Sequence, residues 1–205
     1  MEKRLKYAFR ITHIDNIPHI ARCGLVRADS PLRDDNYVCI GDKQVIDLRG
    51  GRIVNGYRLN DYIPFYLGPR SPMLYVIQHG YNGVKRVEPD KIVYCVVRLD
   101  DLIKDDINCI FTNGHALSAL TTYYTKDKLS QIDQIINYDD VYSSQWNIEE
   151  DIDLKRRKEA ELLVNCDLPT QYIRGYVVYN EKAKKQLVDF GIAADMIVVA
   201  RNYYF

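Results

Sequence analysis

One stretch of the sequence would form a β-strand whose two faces are both apolar. Residues 91–99 place three apolar side chains on each face: Ile92, Tyr94 and Val96 on one, and Val93, Cys95 and Val97 on the other. A strand with two apolar faces has to be covered on both sides, so we expect it in the middle of a sheet. Many short strand-like stretches and few, short helical ones accompany it. The pattern predicts an α+β fold.

The length of the chain fits a single domain that spans residues 1–205. No internal repeat, low-complexity segment or linker divides it. The N-terminus is charged from Glu2 onward and lacks the apolar core of a signal peptide, and no apolar run approaches the length of a membrane span. We therefore expect a cytoplasmic monomer without membrane attachment.

Charge and tyrosine content bear on the ligand. The formal net charge is zero, which excludes a globally basic nucleic-acid binder but leaves room for local positive fields at Lys3–Lys6, Lys155–Lys158 and Lys182–Lys185. The chain has 17 Tyr against 5 Phe. A tyrosine offers a flat stacking face and a hydroxyl, which suits nucleotides and bases, but it suits a sheet core equally well.

The five cysteines are far apart in the sequence, and none belongs to a C-x-x-C pair. This spacing is typical neither of a zinc site nor of a disulfide framework. Several cysteines have apolar neighbours and are interpreted as buried free thiols. We expect no metal.

The stretch Lys155–Val164 joins four cations to two carboxylates and then to an apolar run. Read as a strand, it places Glu159, Glu161 and Leu163 on one face. Two acids beside cations suggest a site for a charged substrate. A solvated edge strand with Lys/Arg–Glu pairs explains the same pattern, and spacing alone does not choose between Glu159 and Glu161.

Two further segments have both a functional and a structural interpretation. Arg49 and Arg52 enclose two glycines, which permit either a close approach to a ligand or a plain hairpin turn. Ser71 followed by Pro72 is typical of a helix start, where free N–H groups can bind a phosphate.

Five blocks of residues suggest a known family. The most specific block reads Asn-Asp-Tyr-Ile-Pro-Phe-Tyr at residues 60–66 and Pro-Arg-Ser-Pro-Met-Leu-Tyr at residues 69–75. Shorter blocks are Phe9–Ile17, Gly114–Ala116, Glu159–Val164 and Tyr203–Phe205. In this order, over nearly the whole chain, they resemble DarT, the DNA ADP-ribosyltransferase toxins of bacterial toxin–antitoxin systems.

The resemblance implies an ADP-ribosyltransferase fold, with two small packed β-sheets, short helices and an NAD cleft between the sheets. It implies a co-substrate, NAD+, whose ADP-ribose moves to a base in single-stranded DNA while nicotinamide leaves. The base is thymine in the best-known branch and guanine in another. The implied partner is a macrodomain antitoxin, DarG. Alternatives are transfer to protein or RNA, or a catalytically silent single-strand-binding module.

The resemblance also assigns roles to residues. Glu161 matches the catalytic acid, with Glu159 as the alternative on spacing alone. Arg49 matches the assisting arginine, and Arg52 is the alternative. An arginine is a poor base because of its high pKa, so its expected role is to stabilise a developing anion and to bind NAD phosphate.

The remaining expected contacts fall into two groups. For NAD they are Arg10, Ile11 and Thr12 on an edge strand, together with His19, Arg27, Arg49 and Tyr75. For DNA they are His115, Tyr138, Tyr142 and Trp146, which suit stacking on bases. A core role for Tyr75, and a capping subdomain with its own small core for the region 123–146, are the structural alternatives.

Overall fold

The computed structural model describes residues 4–205, so Lys3 of the first basic cluster lies outside the described residues. Its ten strands are β1 (Tyr7–His13), β2 (Ile53–Val54), β3 (Tyr57–Arg58), β4 (Ile63–Tyr66), β5 (Ile92–Arg98), β6 (Cys109–Thr112), β7 (Tyr123–Thr125), β8 (Glu161–Val164), β9 (Ile173–Val178) and β10 (Ile197–Val199). Its α-helices are α1 (Ile17–Cys23), α2 (Lys43–Gly51), α3 (Pro72–His79), α4 (Leu99–Lys104), α5 (Ile132–Ile135), α6 (Tyr138–Tyr142), α7 (Leu154–Lys158) and α8 (Glu181–Asp189). Short 3-10 turns lie at Ile14–Asn16, Leu59–Asp61, Pro89–Lys91, Lys126–Gln131, Thr170–Tyr172, Ala194–Met196 and Arg201–Tyr203.

Eight strands are connected in the order β10-β9-β5-β1-β4-β8-β6-β7, and β2 and β3 pair only with each other. The eight strands form two halves of four that meet between β1 and β4. There the register contains a single pair, Phe9 with Tyr66, whereas β1 pairs with β5 along its whole length. The halves therefore separate beyond Phe9 and leave a cleft. The α+β class with a cleft between two small sheets is confirmed.

The strand predicted at residues 91–99 is β5, which lies between β9 and β1. Both of its faces are covered, and Ile92, Val93, Tyr94 and Cys95 are buried. The predicted central position is therefore confirmed. A strand with two apolar faces is stable there because other parts of the protein cover the sheet on both sides.

Pro64 lies where β4 borders the cleft. Its carbonyl accepts a hydrogen bond from Arg10 Nη1 at 3.2 Å. The nitrogen and carbonyl of one strand residue point to the same side, so the missing N–H of Pro64 faces the cleft and leaves the pairing with β8 intact.

The expectation that one strand begins at Glu159 is wrong. Lys155–Lys158 are the last four residues of α7, Glu159 follows the helix, and β8 begins only at Glu161. The helix turn continues because the N–H groups of Glu159 and Ala160 donate to the carbonyls of Arg156 and Arg157. The two acids therefore do not share the face of a strand.

The cations of α7 were expected to be mostly solvated, and most of them have structural partners instead. Arg156 pairs with Asp153, and Arg157 pairs with Asp140, Asp151 and Asp153. The side chain of Lys158 is buried, and its Nζ donates to the carbonyls of Pro69 and Val141. Only Lys155 is exposed. The run of charges holds the segment before β8 in place.

The hairpin turn considered for Arg49–Arg52 does not form. Residues Lys43–Gly51 make a helix instead, and the Asp42 carboxylate caps it by accepting hydrogen bonds from the N–H groups of Gln44 and Val45. An N-terminal cap of this kind stabilises a helix by about 1 kcal/mol.

Within residues 4–205, no helix combines the length and apolar character that crossing a membrane requires.

We predict that Gly68→Ala destabilises the fold by ~3 kcal/mol, because overpacking of a filled site forces the backbone to move. A Cβ at residue 68 would lie 2.0 Å from the carbonyl oxygen of Val141. The matched control is Gly51→Ala, where a Cβ meets no atom within 4 Å. Urea unfolding of the two variants measures the difference, and equal unfolding free energies would contradict the packing of residue 68 against α6.

A second prediction concerns pH. Burial lowers the pKa of Lys158 to about 8 from its ordinary value of 10.5. Between these pH values the unfolded chain binds more protons than the folded one, so the contribution of Lys158 to stability rises with pH. Relative to Lys158→Met, the wild type should gain up to ~3 kcal/mol between pH 8 and pH 10.5.

Urea unfolding of both proteins at several pH values tests this. Other groups that titrate in the same range are common to both proteins and cancel in the difference. Parallel pH dependences would show that the amine of Lys158 titrates as it does in the unfolded chain.

Candidate active site

The concave site that contains most of the residues predicted to bind NAD is the cleft between β1 and β4, with a volume of about 330 Å³. This lies within the usual range for small-molecule sites. Its lining comes from β1 (Phe9, Arg10, Ile11), the segment 26–42 (Val26, Arg27, Ala28, Tyr37, Cys39, Ile40, Gly41, Asp42), α2 (Val45, Ile46, Arg49), residues 59–66 apart from Asp61, α3 (Met73, Ile77) and β8 (Glu161).

Glu161 is the first residue of β8, and only 3% of its surface is exposed. Its Oε2 accepts a hydrogen bond from Arg49 Nη1 at 2.9 Å, and its Oε1 accepts one from the N–H of Ala116 at 2.9 Å. Its own N–H donates to Thr112 Oγ1. Contacts on both oxygens fix the orientation of the carboxylate toward the cleft, so it is preorganised.

Arg49 lies in the last turn of α2 and is 8% exposed. One terminal nitrogen, Nη1, binds Glu161, whereas the other, Nη2, is buried without a hydrogen-bond partner. A buried donor without a partner is costly and rare in native proteins. The guanidinium therefore presents a donor that suits an acceptor atom of a bound ligand.

Helix geometry explains why Arg49, and not Arg52, reaches Glu161. Asp42 fixes the start of α2, and two turns later the helix carries Arg49 into the cleft. Arg52 follows the end of the helix, is exposed, and is hydrogen-bonded to Tyr123. The structure brings one of the two candidate arginines into contact with the candidate acid.

The residues predicted to bind NAD are only partly brought together. Arg10, Ile11 and Arg27 line the cleft. Thr12 is buried behind it, where its hydroxyl is hydrogen-bonded to Asn16 and to Tyr37, and the tyrosine reaches the lining. His19 lies on α1 and is not part of the lining.

Tyr75 also lies away from the cleft. Its ring packs edge-on against Trp146 and Phe205, with centroids 5.6 and 5.1 Å away. Met73 and Ile77 of the same helix do line the cleft, so α3 turns Tyr75 to its opposite side. Stacking of Tyr75 on nicotinamide stays a prediction that this arrangement does not favour.

The predicted DNA-contacting residues occupy two places. His115 precedes Ala116, the donor to Glu161, and burial lowers the pKa of His115 although the Glu161 carboxylate partly opposes this effect. Tyr138 and Tyr142 stack on each other at 4.1 Å, and Tyr142 packs edge-on against Phe9. Trp146 packs against Tyr75, and Lys158 Nζ lies 6.0 Å from its ring centroid. Of these four residues, only His115 is near Glu161. Tyr138, Tyr142 and Trp146 belong to the segment 138–146, where their rings pack against other side chains.

Glu159 is not part of the cleft lining. Burial raises its pKa to about 7, and the nearby Glu161 carboxylate raises it as well, whereas Lys155 and Lys158 oppose the shift. The residue therefore titrates close to neutral pH without reaching the site. Residues 4–205 contain no group of three His, Cys, Asp or Glu side chains placed to hold a metal ion.

Sequence reasoning missed the backbone part of the site. The N–H of Ala116 and the hydroxyl of Thr112 hold Glu161, and the Tyr123 hydroxyl donates to the Ala116 carbonyl. The block Gly114–Ala116 was recognised, but only the side chain of His115 was given a role. A backbone donor leaves no residue-type signal, so no pattern in the sequence identifies it.

Comparison with known proteins agrees with this geometry. Residues 9–205 match the family model described as "DarT: ssDNA thymidine ADP-ribosyltransferase, DarT". A DNA ADP-ribosyl transferase from Escherichia coli O127:H6 (strain E2348/69 / EPEC) is 35% identical over 191 residues, which covers 87% of this chain and 83% of the relative. A fusion of a DNA ADP-ribosyl transferase with a DNA ADP-ribosyl glycohydrolase, from Thermosipho africanus (strain H17ap60334), is 30% identical over 189 residues and covers 91% of this chain and 46% of the relative.

The fold is similar to that of solved structures. Thermus sp. 2.9 DarT in complex with ADP-ribosylated ssDNA superposes with a TM-score of 0.85 at 22% identity, covering 100% of this chain and 99% of the other. The same Thermus protein in complex with NAD+ gives a TM-score of 0.79 at 22% identity, with both chains covered completely.

Proposed function

This chain belongs to the DarT family, and from this premise we propose that it transfers one ADP-ribosyl group from NAD+ to a base in single-stranded DNA. The observation that carries the proposal is the pair formed by Glu161 and Arg49. A buried carboxylate is held on both oxygens, and the arginine beside it keeps one buried donor without a partner. The two groups suit the two charges that the reaction creates.

The cleft offers a backbone edge for the nicotinamide amide. Beyond Phe9, β1 has no pairing with β4, so Arg10 and Ile11 border the cleft as an open strand edge. An open edge presents N–H and C=O groups in a row, and an amide can pair with both. Arg27 also belongs to the lining and provides a cation for the phosphates.

The reaction exchanges one bond for another. The bond between ribose C1′ and the nicotinamide nitrogen breaks, a bond from C1′ to a ring nitrogen of the base forms, and the proton of that nitrogen is released. Positive charge builds up on the ribose as nicotinamide leaves, as it does in glycoside cleavage. The Glu161 carboxylate stabilises this charge from a fixed position, which requires no reorganisation.

Arg49 stabilises the negative charge that develops on the base. The incoming ring nitrogen becomes anionic as its proton leaves, and a guanidinium cannot remove that proton itself because its pKa is too high. The free Nη2 can donate to an anionic oxygen of the base or of an NAD phosphate. Arg49 therefore orients Glu161 with one nitrogen and the ligand with the other.

Finer aspects of the proposal follow from the family. We propose thymine as the acceptor base, because the matching family model is described as a thymidine ADP-ribosyltransferase. A toxin role with a DarG-type antitoxin is supported by the Thermosipho africanus relative, in which the transferase is fused to a DNA ADP-ribosyl glycohydrolase. We further propose that residues 1–205 act as one cytoplasmic, monomeric domain.

Intact-mass measurement of oligonucleotides tests this function. Purified protein is incubated with NAD+ and with single-stranded oligonucleotides that contain each base in all neighbouring contexts. We expect a product heavier by one ADP-ribosyl group with thymine-containing strands. RNA and protein acceptors are assayed in parallel. Modification of these alone, or no modification of any strand, would overturn the proposal.

A further inference from the structure

A two-stranded hairpin lies beside the cleft and has no role in the reaction described above. It consists of β2 and β3, in which Ile53 pairs with Arg58 and Val54 pairs with Tyr57. Asn55 and Gly56 form its turn with φ of 50° and 83°, the positive values that tight hairpins require. The hairpin connects the end of α2, which carries Arg49, to Leu59 and Asn60, which line the cleft.

The hairpin is firmly attached at its base. Tyr62 lines the cleft, and its hydroxyl donates to the Val54 carbonyl at 3.1 Å. Val54 packs against a small buried cluster that includes Leu59, Tyr62 and Ala116. Ala116 is the donor that holds Glu161. The hairpin and the catalytic carboxylate are therefore fixed to the same cluster.

The outer side of the hairpin carries a stacking surface and positive charge. Tyr57 is 45% exposed and Ile53 is 67% exposed. Arg52 and Arg58 are exposed, and no salt bridge joins either of them to a carboxylate of the described residues. Surface cations elsewhere are commonly paired, as Lys43 is with Asp47. The side chain of Arg52 is hydrogen-bonded to Tyr123, which leaves its charge without a carboxylate partner. Two arginines without a salt bridge around an exposed aromatic ring are typical of a surface that binds single-stranded nucleic acid.

The position of the hairpin suits the acceptor strand. The open edge of β1 and Arg27 belong to the cleft lining, and so do Leu59, Asn60 and Tyr62, which follow the hairpin in the chain. In a displacement at C1′, the acceptor approaches from the side opposite the leaving group. With nicotinamide held at the β1 edge, Leu59, Asn60 and Tyr62 next to the hairpin remain for the strand that carries the base.

We propose that the segment Arg52–Arg58 binds the single-stranded DNA next to the acceptor base, with Arg52 and Arg58 on phosphates and Tyr57 stacked on a neighbouring base. This inference rests on the proposed function, because it needs a nucleic-acid substrate. The apolar Ile53 would also suit a protein partner, but two arginines without a side-chain salt bridge on both sides of the tyrosine complement phosphates better. Within residues 4–205, the one carboxylate bound to this segment, that of Asp61, accepts from the backbone N–H of Arg58. The hairpin is thus a substrate-binding element outside the reactive cleft.

Salt-dependent binding of a single-stranded oligonucleotide tests the proposal. Each phosphate contact contributes about 0.7 to the slope of log K against log salt concentration for single strands. We expect Arg52→Ala and Arg58→Ala each to reduce the slope by about 0.7, and the double variant to reduce it by about 1.4. The control is Lys104→Ala, which removes an exposed cation without a salt bridge from α4 and should leave the slope unchanged.

The stacking part is tested separately. Tyr57→Ala should weaken oligonucleotide binding roughly tenfold or more at all salt concentrations, whereas Tyr57→Phe should retain wild-type binding, because stacking needs only the ring. Thermal unfolding of each variant shows whether the hairpin still folds. The ring also packs edge-on against Tyr62, a contact that phenylalanine preserves.

Acceptor length gives a measurement that distinguishes this inference from the proposed function. With a long oligonucleotide, the double arginine variant should show a raised KM, and with a dinucleotide acceptor it should match the wild type. If the wild type modifies DNA but the arginine variants have the same salt slopes and the same KM as the wild type, the inference about the hairpin is overturned and the proposed function is not. If the arginine variants bind DNA normally but bind a protein antitoxin more weakly than the wild type does, the surface is a protein-binding site and the inference is also overturned.

Discussion

Replacement of Glu161 by glutamine is expected to lower the rate of ADP-ribosyl transfer by about a thousandfold, the scale seen when a preorganised electrostatic group is removed. Glutamine has the size of glutamate, and its oxygen can still accept the hydrogen bond from Ala116. It has no negative charge to stabilise the positive charge on the ribose. Transfer to a thymine-containing oligonucleotide under single-turnover conditions measures the effect.

The matched control for this variant is Glu159→Gln. Glu159 is two residues away and carries the same functional group, but it does not line the cleft. We expect this variant to retain most of the transfer rate. A thousandfold loss in Glu159→Gln with little loss in Glu161→Gln would reverse the assignment of the catalytic acid.

The second large effect is expected for Arg49→Ala, which should reduce both stability and activity. The Arg49 and Glu161 side chains are 10% and 3% exposed, so removal of the arginine leaves a buried carboxylate without its cation. Breaking a buried pair from one side costs ~3 kcal/mol or more of unfolding free energy. Transfer should be reduced about a hundredfold or more, because the donor to the developing anion is also lost.

A double-mutant cycle separates the two consequences. Combining Arg49→Ala with Glu161→Gln removes both charges, so the double variant should be more stable than the sum of the single effects predicts. Lys43→Ala is the control on the same helix, since Lys43 is exposed and pairs only with Asp47. Additive effects at residues 49 and 161 would contradict their coupling.

The sequence predicts best the features that follow from local patterns of residue types. The two apolar faces of residues 91–99 specify a central strand, and β5 is one. Pro64 lacks an N–H and therefore indicates an open edge, which is where β4 borders the cleft. The resemblance adds Glu161, and the structure places it in the cleft, against Arg49.

What the sequence could not predict depends on contacts between distant residues. The run Lys155–Lys158 looks solvated because several of its partners, namely Asp140 and the carbonyls of Pro69 and Val141, lie far away in the sequence. Residue type does not distinguish a stacking tyrosine from a core tyrosine. The resemblance assigns Tyr75 and Tyr142 to ligands, but neither belongs to the cleft lining: Tyr75 packs against Phe205, and Tyr142 packs against Phe9.

The resemblance favours Arg49 over Arg52, but local pattern does not distinguish them, for a related reason. Two adjacent glycines usually indicate a turn, but Asp42 caps a helix strongly enough to continue through both of them. The choice between the arginines depends on where that helix points. This direction follows from packing of α2 against the residues around Leu59, which no local pattern describes.

Isotope labelling shows whether this cleft joins the ribose of NAD+ to a base of single-stranded DNA. NAD+ carrying heavy carbon at ribose C1′ is incubated with an oligonucleotide that carries heavy nitrogen in its thymines, and the product is examined by NMR for coupling across a new bond. We predict coupling between C1′ and a thymine ring nitrogen with the wild type, and none with Glu161→Gln. Heavy carbon found only in free ADP-ribose, or attached to a phosphate or to protein, would contradict the account.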